Sequence, residues 1–192
     1  LSRLVSGNMI SLQLADFGAE VIKVEAPDKG DPLRHWDVEG HGTAWKVYGR
    51  NKKSMTLNLR APEGADILLK LAKDADVLIE NFRPGTLEKT PFAPDKLRTL
   101  NPNLILVRVS GWGQTGPYKE RLGFGSLVEG ASVFASTNGF ADREPVLPPL
   151  ALADMVAGLS GAMSILVALR HRDQNGGGGQ EIDLSLLEPI FS

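Results

Sequence analysis

The chain has 192 residues, 42% hydrophobic and 23% charged, an ordinary globular composition large enough for one substantial core. Its 21 basic and 23 acidic side chains leave a net charge of -2, so no global field draws it to nucleic acid or an anionic membrane, and any anionic ligand must be held locally. With no cysteine there is no disulfide scaffold, thiolate nucleophile or Cys-ligated metal, and the three histidines, His35, His41 and His171, show no ligand spacing, so no metal is expected.

In chain order, Ile10 to Phe17 reads as a helix stopped by Gly18, and Glu20 to Glu25 as a strand. Pro27 to Gly49 is polar and Gly-rich, a loop long enough to cover something. Met55 to Leu59 alternates as a strand, and Pro62 suits the first turn of a helix carrying Ile67, Leu68 and Leu71 on one face. Val77 to Ile79 is a short buried strand, Pro94 opens a helix to Leu100, and Leu104 to Val109 is the next strand. Gly111 to Pro117 is a loop, Ser126 to Ala135 a helix, and a Pro-rich connector leads to a helix beginning near Asp154. Gly176 to Gly179 reads as a flexible turn before Glu181 to Leu187, a strand or a strand running into a helix. Strands alternating with helices predict an α/β fold with a parallel sheet and helical crossovers. No apolar run approaches the roughly 20 residues of a membrane helix, so the chain reads as soluble. No signal peptide opens it, which gives the expectation of a cytoplasmic protein, with the mitochondrial matrix as the alternative. Leu1 is not a natural start, and the stop at Phe191-Ser192 after an apolar run points to part of a longer polypeptide.

Asp154 is a lone carboxylate in the first turn of an otherwise apolar helix. Met155, Leu159, Met163, Leu166 and Leu169 recur close to helical period and are expected to face the core, with Asp154 off that stripe above Gly158 and Gly161. The two glycines leave room for a ligand or another backbone. Either the acid serves the helix dipole or it does chemistry. As the only isolated acid of this kind, it is the nucleophile candidate.

Ligands gather at the carboxyl ends of parallel strands, where three segments qualify by position: Arg50 to Ser54, Glu80-Asn-Phe-Arg-Pro-Gly85 and Gly111-Trp-Gly-Gln-Thr-Gly116. The last matches the dinucleotide fingerprint literally. It fails in context, since Pro117-Tyr118 stands where a helix should run and no strand-ending acid follows about 20 residues on.

The ordered set Leu14-Ala-Asp-Phe-Gly-Ala-Glu-Val-Ile-Lys-Val-Glu25, Gly30-Asp-Pro-Leu-Arg34, Arg50-Asn-Lys-Lys-Ser54, Glu80 to Gly85, Ser110-Gly-Trp-Gly-Gln-Thr-Gly-Pro117 and Leu152-Ala-Asp154 resembles the class III CoA-transferase (CaiB/BaiF) family. The match runs from Leu4 to about Leu187. The resemblance implies a Rossmann-like open parallel sheet, residues 1–192 forming a single CoA-binding and catalytic piece, the N-terminal half of a chain roughly twice as long. It implies that CoA passes from an acyl-CoA thioester to a small carboxylic acid through an aspartyl anhydride and an aspartyl-CoA thioester on Asp154, CoA being a substrate. An already ionised carboxylate needs no general base, and the helix N-terminus favours its charged form.

By the same resemblance Val5 and Ser6 line the thioester end, and Leu57, Asn58, Leu59 and Arg60 contact the nucleotide. Asn81, Phe82 and Arg83 grip CoA, Lys89 meets a phosphate, and Arg121, Leu122, Gly123 and Phe124 add a further contact. A homodimer is implied, interlocked in the full-length family, with neither nucleic acid nor membrane as partner. Gly7-Asn8 departs from the Gly-Pro of many members. Racemases of the family carry Gly-His-Asp where this chain has Gly123-Phe124-Gly125, and Phe124 relays no proton, which disfavours a 2-methylacyl-CoA racemase. A non-catalytic CoA-binding fragment is the remaining alternative.

Overall fold

The computed structural model describes residues 1–36 and 40–191; positions 37–39, within the expected Pro27 to Gly49 loop, and Ser192 lie outside the described residues. The elements are α1 (Ser6–Asp16), β1 (Ile22–Glu25), a 3-10 turn (Pro32–His35), α2 (Thr43–Tyr48), β2 (Lys53–Thr56), α3 (Pro62–Asp74) and β3 (Val77–Glu80). A second 3-10 turn (Leu87–Lys89), α4 (Pro94–Leu100), β4 (Ile105–Ser110), α5 (Gly125–Ala131), α6 (Phe134–Thr137), α7 (Leu152–Asn175), β5 (Glu181–Ser185) and α8 (Glu188–Phe191) complete the order. The α/β alternation holds, with Pro62 and Pro94 each in the first turn of its helix, where the missing N–H costs nothing.

All strand pairs among the described residues are parallel: β1 with β2 in the register Ile22 to Lys53, and β3, β4, β5 in that order, with Val77 opposite Ile105 and Leu106 opposite Glu181. The N-terminal segment joins the two groups. The Leu1 nitrogen donates to Ile79 O at 2.8 Å, while Lys23 Nζ of β1 donates to Ser2 O. β4 is covered on both sides. Ile105, Val107 and Val109 enter a core with α1, α5 and α7, whereas Leu104 and Leu106 join α3 and α4 on the other face, as two-residue side-chain alternation requires.

Four local expectations are corrected. The strand placed at Met55 to Leu59 is Lys53–Thr56, because Asn58 turns the chain: its side chain accepts from Arg60 N at 3.1 Å and its carbonyl from Ala61 N at 3.0 Å. The helix expected over Ser126 to Ala135 is broken at Val133, which sits at φ 69°. The loop expected from Pro27 to Gly49 holds the 3-10 turn and α2. The four-glycine run is packed at two of its positions: Gly179 N donates to Pro102 O at 2.6 Å, and a Cβ at Gly177 would lie 2.9 Å from His171, while Gly176 and Gly178 are exposed.

The face of α7 is the largest revision. Leu159, Met163 and Leu166 are exposed, and the buried stripe is Ala153, Ala157, Gly158, Gly161, Ala162, Ile165 and Ala168. Small residues win the core because α1 crosses there at close range. A Cβ on Gly158 would collide with Met9, and one on Gly161 would lie 2.7 Å from Leu184 and 2.8 Å from Ile10. Over its best 18-residue window α7 has a mean hydropathy of 1.8, long and apolar enough by length and composition alone to cross a membrane, a test that the core helix of a soluble protein also passes.

Candidate active site

Asp154 is the third residue of α7, half-buried, and the close α1–α7 crossing sets its surroundings. Ser6, the first residue of α1, lies beside the carboxylate, with its hydroxyl and its backbone N–H as the neighbouring polar groups. Burial pushes the Asp154 carboxyl above its ordinary value and the charge of Glu129 adds to this, while the polar groups of Ser6 pull the other way. The helix N-terminus is expected to favour the charged form, but desolvation is the larger influence on this group. The third side is Gly125, where a Cβ would stand 2.5 Å from Asp154 Oδ2, so only a glycine lets α5 approach. Tyr48 of α2 faces the same charge; burial and then Asp154 raise its phenol.

The loop that presents Ser6 is anchored by a buried acid of the opposite temperament. Leu4 lies at φ 62°, a costly conformation for a branched residue, and its N–H donates to Asp31 Oδ1 at 2.9 Å. Asp31 also accepts from Asn8 Nδ2 at 2.8 Å and from Leu33 N at 2.9 Å, and pairs with Lys23 Nζ at 2.7 Å. Burial would raise its pKa, but the charge and hydrogen bond of Lys23 and the backbone donors outweigh that and lower it. Glu25 behaves alike. Burial opposes its ionisation, yet donors from Arg34, the Asp31 amide and Ser54 hold it at about 2. Asn8, the departure from Gly-Pro, is fully buried, and its carbonyl accepts from Lys52 Nζ at 2.8 Å.

Of the residues expected to bind CoA, Val5 and Ser6 lie at the buried start of α1, Ser6 beside Asp154. Asn81 follows β3 and is tied to the same segment, accepting from Arg3 N at 3.0 Å and donating to Arg3 O at 2.7 Å. Phe82 is half-buried and Arg83 exposed. Leu57 to Arg60 form the turn at the carboxyl end of β2, and Lys89 closes the second 3-10 turn, exposed. In the last segment Arg121 stacks on Tyr118 with 4.1 Å to the ring centroid, Leu122 O accepts from Trp112 Nε1 at 3.0 Å, and Gly123 abuts Gly111. Phe124, exposed, immediately precedes α5. The Gly111 to Gly116 loop ends in turns and not a helix, and Gln114 N donates to Asp183, in keeping with its rejection as a dinucleotide fingerprint. A wide polar cleft at the amino ends of β3 and β4, lined by Asp76, Asn103 and Arg172, lies at the wrong end of the strands for such a site.

Glu129 is the functional neighbour that sequence reasoning missed. It is an acid in a short, otherwise uncharged helix, without the first-turn position that singled out Asp154.

The profile of CoA-transferase family III matches residues 1–192. The chain belongs to this family. It is 44% identical over 195 residues to a succinyl-CoA–D-citramalate CoA-transferase of Chloroflexus aurantiacus, covering 100% of this chain and 48% of that protein. It is 35% identical over 190 residues to the succinyl-CoA:glutarate CoA-transferase of Homo sapiens, covering 97% of this chain and 43% of that one. The crystal structure of a CaiB/BaiF family protein from Brucella suis superposes with a TM-score of 0.94 at 37% identity, over 100% of this chain and 52% of that one. The chain thus spans about half the length of the relatives it matches.

Proposed function

We propose that the protein moves CoA from an acyl-CoA thioester to a carboxylic acid, with Asp154 as the covalent carrier. Asp154 Oδ attacks the thioester carbonyl carbon; a C–O bond forms, the C–S bond breaks, and CoA departs as thiolate, leaving a mixed anhydride of the acyl group and Asp154. The thiolate then attacks Cγ of Asp154, expelling the donor acid as carboxylate and leaving an aspartyl-CoA thioester. The acceptor carboxylate attacks that carbonyl, releasing thiolate and forming a new anhydride. Attack of the thiolate on the acceptor's acyl carbon yields the new thioester and frees Asp154.

The observation that carries this reading is the environment of Asp154: a half-buried carboxylate against Gly125 and beside Ser6, made less acidic by burial, with no ion pair among the described residues. Such an oxygen is a better nucleophile than a solvated or salt-bridged one, and Ser6 is placed to favour charge developing at the reacting carbonyls. Exposed Arg60, Arg83, Lys89 and Arg121 suit the phosphates of CoA, and Phe82 and Phe124 suit its adenine or pantetheine. The named relatives use succinyl-CoA with D-citramalate or glutarate, which supports a short dicarboxylic donor and acceptor here. A homodimer in the full-length protein belongs to the same reading. Phe124 at the racemase histidine position supports transfer over racemisation.

The test is to incubate the full-length protein with succinyl-CoA and, in turn, malate, citramalate and glutarate, following new thioesters by chromatography. Transfer that disappears in Asp154→Asn is expected. Turnover that persists in that variant removes the mechanism.

A further inference from the structure

Gly125 and Glu129 are one helical turn apart on α5 and share the face turned to the start of α7. The first lets the helix touch the Asp154 carboxylate. The second, 3% exposed, places Oε1 3.0 Å from the N–H of Ala153, itself fully buried. The residue preceding α7 is Ala151, whose side chain cannot cap, so the orphan N–H of Ala153 is satisfied from another helix. The group that holds the peptide before the nucleophile is therefore an acid, although a neutral acceptor would also satisfy that N–H.

We infer that Glu129 is a positioning residue for Asp154, an inference that rests on the transferase reading: its carboxylate fixes the first turn of α7 through Ala153 and sets a second negative charge beside the nucleophile. The titratable groups that face Asp154 are Glu129 from α5 and Tyr48 from α2; Ser6 from α1 supplies neutral donors. Among the described residues no cation pairs with Asp154, so a negative charge nearby is uncompensated.

Two variants of the full-length protein separate the contributions. Glu129→Ala removes both, and kcat with succinyl-CoA is expected to fall about tenfold or more while KM changes less than about twofold. Glu129→Gln keeps an acceptor for Ala153 and removes the charge. It is expected to recover much of the lost kcat and to move the acid limb of the kcat profile to lower pH by about half a unit. The same displacement is expected in the carbon-13 titration of the Asp154 carboxyl in the resting protein. An Asp154 titration unmoved by Glu129→Gln, or an alanine variant with undiminished kcat, overturns the inference; if the alanine variant does not fold, the glutamine variant decides. The titration needs no turnover, so it separates failure of this inference from failure of the transferase reading, which Asp154→Asn reports.

Discussion

Asp31 and Asp154 both meet the first turn of α1, one on each side, yet their environments push them in opposite directions. Asp31 is paired with Lys23 and given three N–H donors besides, so it stays charged despite burial. Asp154 has only the neutral Ser6 beside it and faces another acid, so burial prevails and its proton affinity rises. The first is an anchor that stabilises the ionised form and holds Leu4 in its left-handed conformation. The second is held at a cost in folding free energy, which is what a reactive group requires.

The strongest break of this contrast is Asp154→Asn, which in the full-length enzyme should lower kcat for CoA transfer by at least about a thousandfold, read in a steady-state assay. Next is Asp31→Ala. It strands Lys23 without its partner and is expected to cost about 3–5 kcal/mol in denaturant unfolding. A smaller effect is expected of Gly158→Ala, which wedges α1 from α7 at about 1–3 kcal/mol and shifts Ser6 from Asp154, so kcat should fall more than stability alone explains.

The two acids should also differ in how stability follows pH. With its pKa depressed, Asp31 binds fewer protons folded than unfolded; its contribution is full above its ordinary value and is lost as pH falls through the folded one. Asp154 binds protons more tightly folded, so stability declines as pH rises from its ordinary value through the raised one, and the loss persists at neutral pH. Asp154→Asn should therefore raise the unfolding midpoint at pH 7 and leave it unaltered near pH 3, where both forms are neutral. Lys53→Ala, which removes an exposed pair with Glu20, should change stability by less than about 0.5 kcal/mol and serves as the control.

The α/β order and Asp154 were legible in the sequence because they rest on local signals: Pro62 and Pro94 at helix starts, apolar runs at β3 and β4, and one acid in an apolar helix. What was not legible depends on partners. Leu159, Met163 and Leu166 obey helical period as well as the alanine and glycine stripe does, and only the close approach of α1 decides which face is buried. The break at Val133 opposes local propensity, since a β-branched residue disfavours positive φ. Glu129 escaped notice because an acid in a short helix ordinarily faces water, and its partner N–H lies 24 residues away in sequence. The weakened acidity of Asp154 likewise follows from desolvation by elements that the sequence does not place together.

The most direct test of the covalent role of Asp154 is mass analysis of the full-length protein, quenched in acid after seconds with succinyl-CoA and digested. The account predicts that the peptide carrying Asp154 gains the mass of a succinyl group or of CoA, and that the gain vanishes in Asp154→Asn. An unmodified peptide from enzyme caught in active turnover would contradict it.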